Sequence, residues 1–290
     1  CEATDLSGIQ FRTLNKKKGP AVQATRAQTD KELYEKAIQK KLKKEKIEVY
    51  NDEIKDFTTK NKKIVKAVSE KNEYEAKAFV LTTGTFLNGS ILIGHSKKEG
   101  GRIDEKKSTG LEKFFKQQKM KLGRLKTGTP PRIDSRSVDL RGLPEQPGDH
   151  PTPYLSMTSV GDEHPSQVPC YLSRTTEKTR DIILRNLHLS PMYAGVIEGT
   201  GPRYCPSIED KIVRFADKPT HQVFLEPEGL SSHELYPNGV STSLPYEVQL
   251  EIVRSMEGCT NAVITRPGYA IEYDFFDPRD LSRTLESKLV

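Results

Sequence analysis

The stretch AKAFVLTTGTFLNG, residues 76–89, sets the tightest limit on the fold. Its first six residues are continuous enough in apolar character to predict a buried central strand of an α/β sheet. Small residues and Gly84 at the end of such a strand let a ligand approach the backbone closely. A turn that merely requires glycine gives the same spacing, and the residues alone leave both readings open.

The flanking pattern extends the α/β reading. Residues 25–42 predict an amphipathic helix with Leu33, Tyr34, Ala37, Ile38 and Leu42 on one face and a capping box of Thr29 and Glu32. Short strands are expected at 47–50, near Ile54 and at 63–69, the middle pair as a hairpin. Residues 108–118 predict a capped helix with Leu111, Phe114 and Phe115 inward. Residues 122–134 predict a strand running into a Thr-Gly-Thr-Pro-Pro loop with Lys126 and Arg132 on either side. That loop suits an anionic ligand or a rigid turn between domains. Residues 135–167, rich in Pro, Gly, Asp and Ser, read as a long irregular connection. Helices are then expected at 175–187 and at 245–258, the latter with Pro245 in its first turn and Gly258 at its end. Strands are expected at 221–229 and, as a pair, at 261–278.

A length of 290 residues fits two ordinary domains. The formal charge of +6 is compatible with a polyanionic partner, while its densest run, KKLKKEK at 40–46, also suits a solvated helix end. Four dispersed cysteines, Cys1, Cys170, Cys205 and Cys259, make neither a disulfide framework nor a zinc site, which points to a reducing compartment. No apolar run is long enough to span a membrane and no signal peptide is evident, so neither membrane insertion nor secretion is expected. The chain starts without Met and stops within an ordered-looking segment, so a piece of a longer protein is expected. No GxGxxG is present.

The segment GPRYCPSIEDK, 201–211, carries the chemistry. Pro206 and Ser207 start a helix or turn whose first amides, with Arg203, would favour a Cys205 thiolate. Glu209 or Asp210 could move a proton and Lys211 could hold an anion. The bland alternative is a small buried thiol beside an ordinary ion pair. Cys170 reads as structural, and Cys259 as surface or core filler.

Several blocks in order, among them GIQFRTLNKKKGPAV, TRAQTDKELY, LTTGTFLNG, GRLKTGTPPRID, PMYAGVIEGTGPRYCPSIEDKIVRFAD, FLEPEGL, YPNGVSTSLP and RPGYAIEYDFFDPRDL, resemble the MnmG/GidA family. The resemblance covers nearly the whole chain. It implies a partial FAD-binding, Rossmann-like (glutathione-reductase-like) α/β domain over 1–130, an inserted second α/β domain over 131–268 that binds NAD or substrate, and a truncated return to the first over 269–290.

It further implies FAD, NADH and methylene-tetrahydrofolate as inputs, and tRNA as substrate. A homodimer joined to an MnmE-type GTPase as a heterotetramer, and a cytoplasmic enzyme adding a (carboxymethyl)aminomethyl group at C5 of the wobble uridine, follow in the same way. By the same resemblance Cys205 matches the motif cysteine that adds to uridine C6. Ile54, Ser108 and Gly84 fall near FAD. Gly201, Pro202, Arg203, Tyr204, Cys205, Pro206, Ser207, Ile208, Glu209, Asp210, Lys211, Ile212, Val213, Arg214 and Phe215 fall on the nicotinamide-nucleotide segment.

The family's N-terminal glycine-rich loop and second motif cysteine would precede Cys1, which does not match that cysteine. Weak or no FAD binding and no activity are therefore expected of this stretch alone. A folate- and FAD-dependent tRNA uridine methyltransferase and a non-catalytic RNA-binding module are the alternatives.

Overall fold

A computed structural model describes residues 1–159, 164–199, 201 and 206–290. The chain opens with a short helix, α1 (Glu2–Asp5), and a hairpin of β1 (Gly8–Leu14) and β2 (Ala24–Thr29). Helix α2 (Lys31–Lys44) follows it. The helix expected from residue 25 thus starts later. Thr25 to Thr29 are held in extended pairing with β1, and Asp30 becomes the cap, accepting from the Leu33 amide at 3.0 Å.

Strands β3 (Asp56–Lys60), β4 (Lys63–Val68) and β5 (Glu73–Glu75) form an antiparallel meander. β6 (Ser90–Ile93) and β7 (Ser96–Glu99) make a hairpin, followed by α3 (Leu111–Gln117) and β8 (Leu122–Thr129). The expected inward face of α3 is present: Leu111, Phe114 and Phe115 are buried and pack with Leu87, against Ile54, Phe57 and Phe276. Its N-cap is Gly110, without a side-chain cap.

Two expected strands are absent. Residues 47–50 and 76–81 join no ladder, and Val49 and Val80 are 72% and 88% exposed. No described strand pairs with either segment, although Tyr50 meets Tyr74 of β5 and Phe79 meets Phe57 of β3 through their rings. An apolar run becomes a buried strand only where a neighbour satisfies its backbone groups and covers its side chains.

The remainder comprises β9 (Arg132–Asp134), β10 (Glu145–Gln146), β11 (Cys170–Arg174), α4 (Glu177–Arg185), α5 (Ile208–Arg214), β12 (Gln222–Pro227), β13 (Glu234–Asn238), α6 (Tyr246–Arg254), β14 (Ile264–Arg266) and β15 (Tyr269–Phe276). Strands β9 to β14 build an antiparallel sheet in the order β10-β11-β12-β13-β9-β14, while β15 enters another, β7-β6-β15-β8. The chain is mixed α/β, as expected.

Strands β14 and β15, expected as a pair, lie in different sheets. Between them Gln249 of α6 grips Gly268, accepting from its amide at 2.7 Å and donating to its carbonyl at 2.9 Å. Both polar ends of this fully buried side chain are thus satisfied, as burial demands.

Helices α4, α5 and α6 cover the six-stranded sheet. Ile182 and Ile183, Ile208 and Ile212, and Ile252 and Val253 meet Ile133, Val223, Leu225 and Leu235 in the main core. In α6 the buried residues Val248, Gln249, Ile252 and Val253 recur at the spacing of one helical face. The hairpin β1–β2 is tied to the same region. The Val168 amide donates to Ile9 O at 2.8 Å, and the Leu230 amide donates to the Asp30 carboxylate at 2.8 Å. Among the described residues no helix is long and apolar enough to cross a membrane.

Leu225 is fully buried between helices and sheet. Leu225→Ala is expected to lower unfolding stability by about 2–5 kcal/mol, by lost transfer energy and a residual cavity. Urea denaturation checks this, and a loss under about 1 kcal/mol would mean that the core closes around the gap.

Candidate active site

Residues Pro202, Arg203, Tyr204 and Cys205 lie outside the described residues, so the segment is built from its two flanks. On the upstream side, the amides of Glu198 and Gly199 both donate to Glu272 Oε1, at 2.8 and 2.7 Å. Glu272 belongs to β15 and is buried. A β-carbon at Gly199 would stand 3.0 Å from the Leu125 carbonyl carbon, so the loop lies directly on β8 and a larger residue there would crowd the strand. Gly201 lies against Lys126, a buried cation of the same strand.

On the downstream side, Ser207 caps α5. Its hydroxyl accepts from the Asp210 amide at 3.2 Å, and Asp210 Oδ2 accepts from the Ser207 amide at 3.2 Å, a reciprocal capping box. The Ile208 amide donates to Ser241 O at 2.8 Å. These amides were expected to face Cys205. Two of them are instead engaged by Ser207 and Ser241, which removes much of that contribution to a thiolate.

Ile208 and Ile212 are core residues, whereas Val213 and Phe215 are exposed and Arg214 lies on the surface. Lys211 donates to Gly239 O at 2.8 Å and lines a broad groove. Ser207 lines a separate cleft with Lys126 and Thr242. That cleft holds about 10 Å³, far below the 300 Å³ or more of a formed ligand pocket.

Glu209 is fully buried. Its Oε1 accepts from Thr242 Oγ1 at 3.0 Å and from Ser190 Oγ at 3.5 Å, while Oε2 has no partner among the described residues. Burial pushes its carboxyl above the usual carboxylate range, so the fold favours the neutral acid.

The residues expected near FAD form a second neighbourhood. Gly84 sits in a turn with φ +53°, closed by the Phe86 amide on Thr83 O at 3.0 Å. The Ser108 amide donates to Phe86 O at 2.9 Å, and Leu87 bridges to Ser108 in parallel. The neighbours of Ile54 reach the same point: Lys55 Nζ donates to Thr109 Oγ1 at 2.9 Å, and the Thr109 amide donates to Glu53 at 3.1 Å.

A buried charge network on β8 and β15 links the two neighbourhoods, and sequence reasoning missed it. Arg124 donates to Asp274 at 2.8 Å and to Asn88 O at 2.9 Å, and its other terminal nitrogen stands 3.8 Å from Glu272. The Asp274 amide donates to Leu87 O at 2.9 Å. Two acidic residues inside the otherwise apolar strand AIEYDFF are the signal that could have found it.

Arg132, which flanks the loop read as suiting an anionic ligand or a rigid turn, is engaged within the protein. It bonds Glu228 at 2.6 Å and Thr129 and Pro130 at 2.8 Å, and it stacks 4.4 Å from the Tyr236 ring centroid. Cys170 is the structural thiol expected, buried and donating to Gln10 Oε1 at 3.2 Å. Cys259 is a core residue. Burial pushes both thiols up to about 12.

Loss of the Ser207 cap in Ser207→Ala is expected to cost about 0.5–2 kcal/mol, read by urea unfolding. For Glu209 the folded value lies above the ordinary 4.5. Its contribution to stability is therefore complete below that value and declines as pH rises through the raised one. Glu209→Gln abolishes the decline, so as pH rises above the ordinary carboxylate value stability should shift in favour of the variant. A difference that does not change with pH would show the carboxyl ionised throughout.

Across its whole length the chain is 48% identical to the GidA of Aquifex aeolicus in one crystal form, with a TM-score of 0.92. In a second crystal form the figures are 45% and 0.91. The chain spans 49% and 47% of those two chains, about half their length. The family described as Glucose inhibited division protein A matches residues 1–290. With the full length matched and the fold shared, this chain belongs to the GidA family.

Proposed function

We propose that the chain is the central part of a flavoenzyme that modifies C5 of the wobble uridine of tRNA. The 48% identity to GidA across the whole length of the chain supports this reading, together with the family match to residues 1–290. In this reading residues 1–130 and 269–290 belong to the FAD-binding domain, and 131–268 form the insert that takes NADH and substrate. The intact protein acts in the cytoplasm as a homodimer that joins an MnmE-type GTPase in a heterotetramer.

The residues present fit part of an FAD site. Gly84 offers backbone with no heavy atom closer than 3.9 Å to where a β-carbon would stand, the half-buried Ser108 supplies a hydroxyl, and Ile54 offers apolar surface. Flavin, when bound, supplies the redox chemistry of the reaction, with NADH as reductant and methylene-tetrahydrofolate as the one-carbon source. The chain's own residues place the loop and handle the uridine. Glu272 fixes the loop's entry through Glu198 and Gly199, and the Ser207 cap with Ser241 fixes its exit.

The Cys205 thiolate forms a bond to uridine C6, and the displaced electron pair makes C5 nucleophilic toward a one-carbon electrophile. Loss of the C5 proton then expels the thiolate and restores the ring. Burial of Glu209 disfavours its charged form, which lessens the negative charge that this residue sets against the thiolate.

The test uses the intact parent protein with Cys205→Ser beside wild type, read by nucleoside mass spectrometry of wobble uridines. Loss of the C5 group with flavin content unchanged is expected. Full modification in the variant would return Cys205 to a structural thiol, and a simple methyl product in wild type would identify a methyltransferase instead.

A further inference from the structure

A broad concavity lies away from the loop flanks. It is an open groove of about 720 Å³ between the β1–β2 hairpin and the start of β12 with the end of β13. Its wall carries Arg12, Lys16, Lys17, Lys18 and Arg26, and no acidic residue lines it. Lys16 pairs with Asp149 at 2.8 Å and Arg26 with Glu226 at 2.6 Å. Arg12, Lys17 and Lys18 have no carboxylate partner among the described residues, and the buried Nε of Arg12 has no hydrogen-bond acceptor.

The lysines are held on a built turn. Asn15 Nδ2 donates to Val22 O at 3.0 Å and Gln23 Nε2 donates to Lys16 O at 3.1 Å, closing the hairpin loop around the 3-10 turn Lys16–Lys18. Phe224 of β12 is half-buried and lines the same groove.

We infer that this groove is a nucleic-acid-binding surface, in which the hairpin cations contact phosphates of an RNA strand and Phe224 gives a base a face to stack on. The inference rests on the reading that the protein acts on RNA, and adds where part of that RNA is held. Cations at the wall with an aromatic among them are the pattern of single-strand binding, where phosphates supply affinity and stacking tolerates any base. The three cations left without carboxylates exceed the two charges of a single dinucleotide's pyrophosphate, and their exposure on an open hairpin favours a long polyanion over an enclosed small ligand. Lys211 reaches the opposite wall, so the groove runs up to the helix that follows the Cys205 loop.

The experiment measures fluorescence anisotropy of a labelled anticodon-type RNA stem-loop across a salt series, on this chain, with NADH binding as a parallel arm. Lys16→Ser, Lys17→Ser and Lys18→Ser are combined in one variant, and Phe224→Leu and Arg12→Gln are tested singly. The lysines are exposed, so the triple variant should keep the wild-type thermal transition. It is expected to bind RNA about tenfold or more weakly at low salt, with a log–log salt slope shallower by about 2. Phe224→Leu should weaken binding with the slope unchanged, since stacking releases no counterion.

Equal affinity and slope in wild type and triple variant would overturn the proposal, as would absence of RNA binding by wild type. Loss of NADH binding alone would assign the groove to the dinucleotide and overturn it too. The outcome is separable from the proposed reaction. If Cys205→Ser abolishes the modification while the triple variant binds RNA normally, the groove assignment fails and the reaction stands. If the groove variants lose RNA but Cys205→Ser modifies normally, the reverse holds.

Discussion

The pairing of β15 with β8, eight residues against eight from Tyr269↔Thr129 to Phe276↔Leu122, is the constraint on which the candidate site depends. It closes the chain on itself after the whole six-stranded sheet has been built between the two strands. It also buries Glu272 and Asp274 beside Arg124, a charge cluster that only long-range pairing can assemble. Buried ions are costly unless their partners are in place, so the strand register and the network support one another. Glu272 uses its remaining capacity to accept two amides of the loop leading to Gly201. The same acid that completes the network thereby fixes the entry to the segment that holds Cys205.

The two faces of this arrangement differ in chemical character. Around α5 the groups are inward: Glu209 is an acid in the core whose charged form burial disfavours, Asp210 and Ser207 satisfy one another, and Ile208 and Ile212 are packed. Around the β1–β2 hairpin the groups are outward and charged. The first kind of surface holds a backbone still, and the second attracts a polyanion from a distance. Their separation follows from topology. The hairpin lies over the edge of the six-stranded sheet, whereas the loop lies over β8 of the four-stranded one.

Local periodicity was legible where packing agreed with it. Leu111, Phe114 and Phe115 in α3, Ile182 and Ile183 in α4, and the buried face of α6 all appear as their spacing implies. It misled where extended segments depend on partners. Thr25 to Thr29 read as helix but is claimed by β1, because cross-strand pairing outweighs a weak helical preference. The runs 47–50 and 76–81 read as strands, yet no ladder partner is present to bury them.

From residues alone, the α/β class, the helix-capping Ser207 beside Cys205 and the likeness to the GidA family could be read, because each rests on residue type and short spacing. Tertiary structure alone decided that Arg132 is occupied by Glu228, that Ile54, Gly84 and Ser108 share one neighbourhood, and that Arg124, Glu272 and Asp274 connect it to the loop. It also decided that the scattered cations of 12–26 line one groove. The reason is physical: helix periods and caps act within a few residues, whereas ion pairs, cavities and buried carboxyls are set by contacts between separate segments, from 19 residues apart for Ser190 and Glu209 to 150 for Arg124 and Asp274.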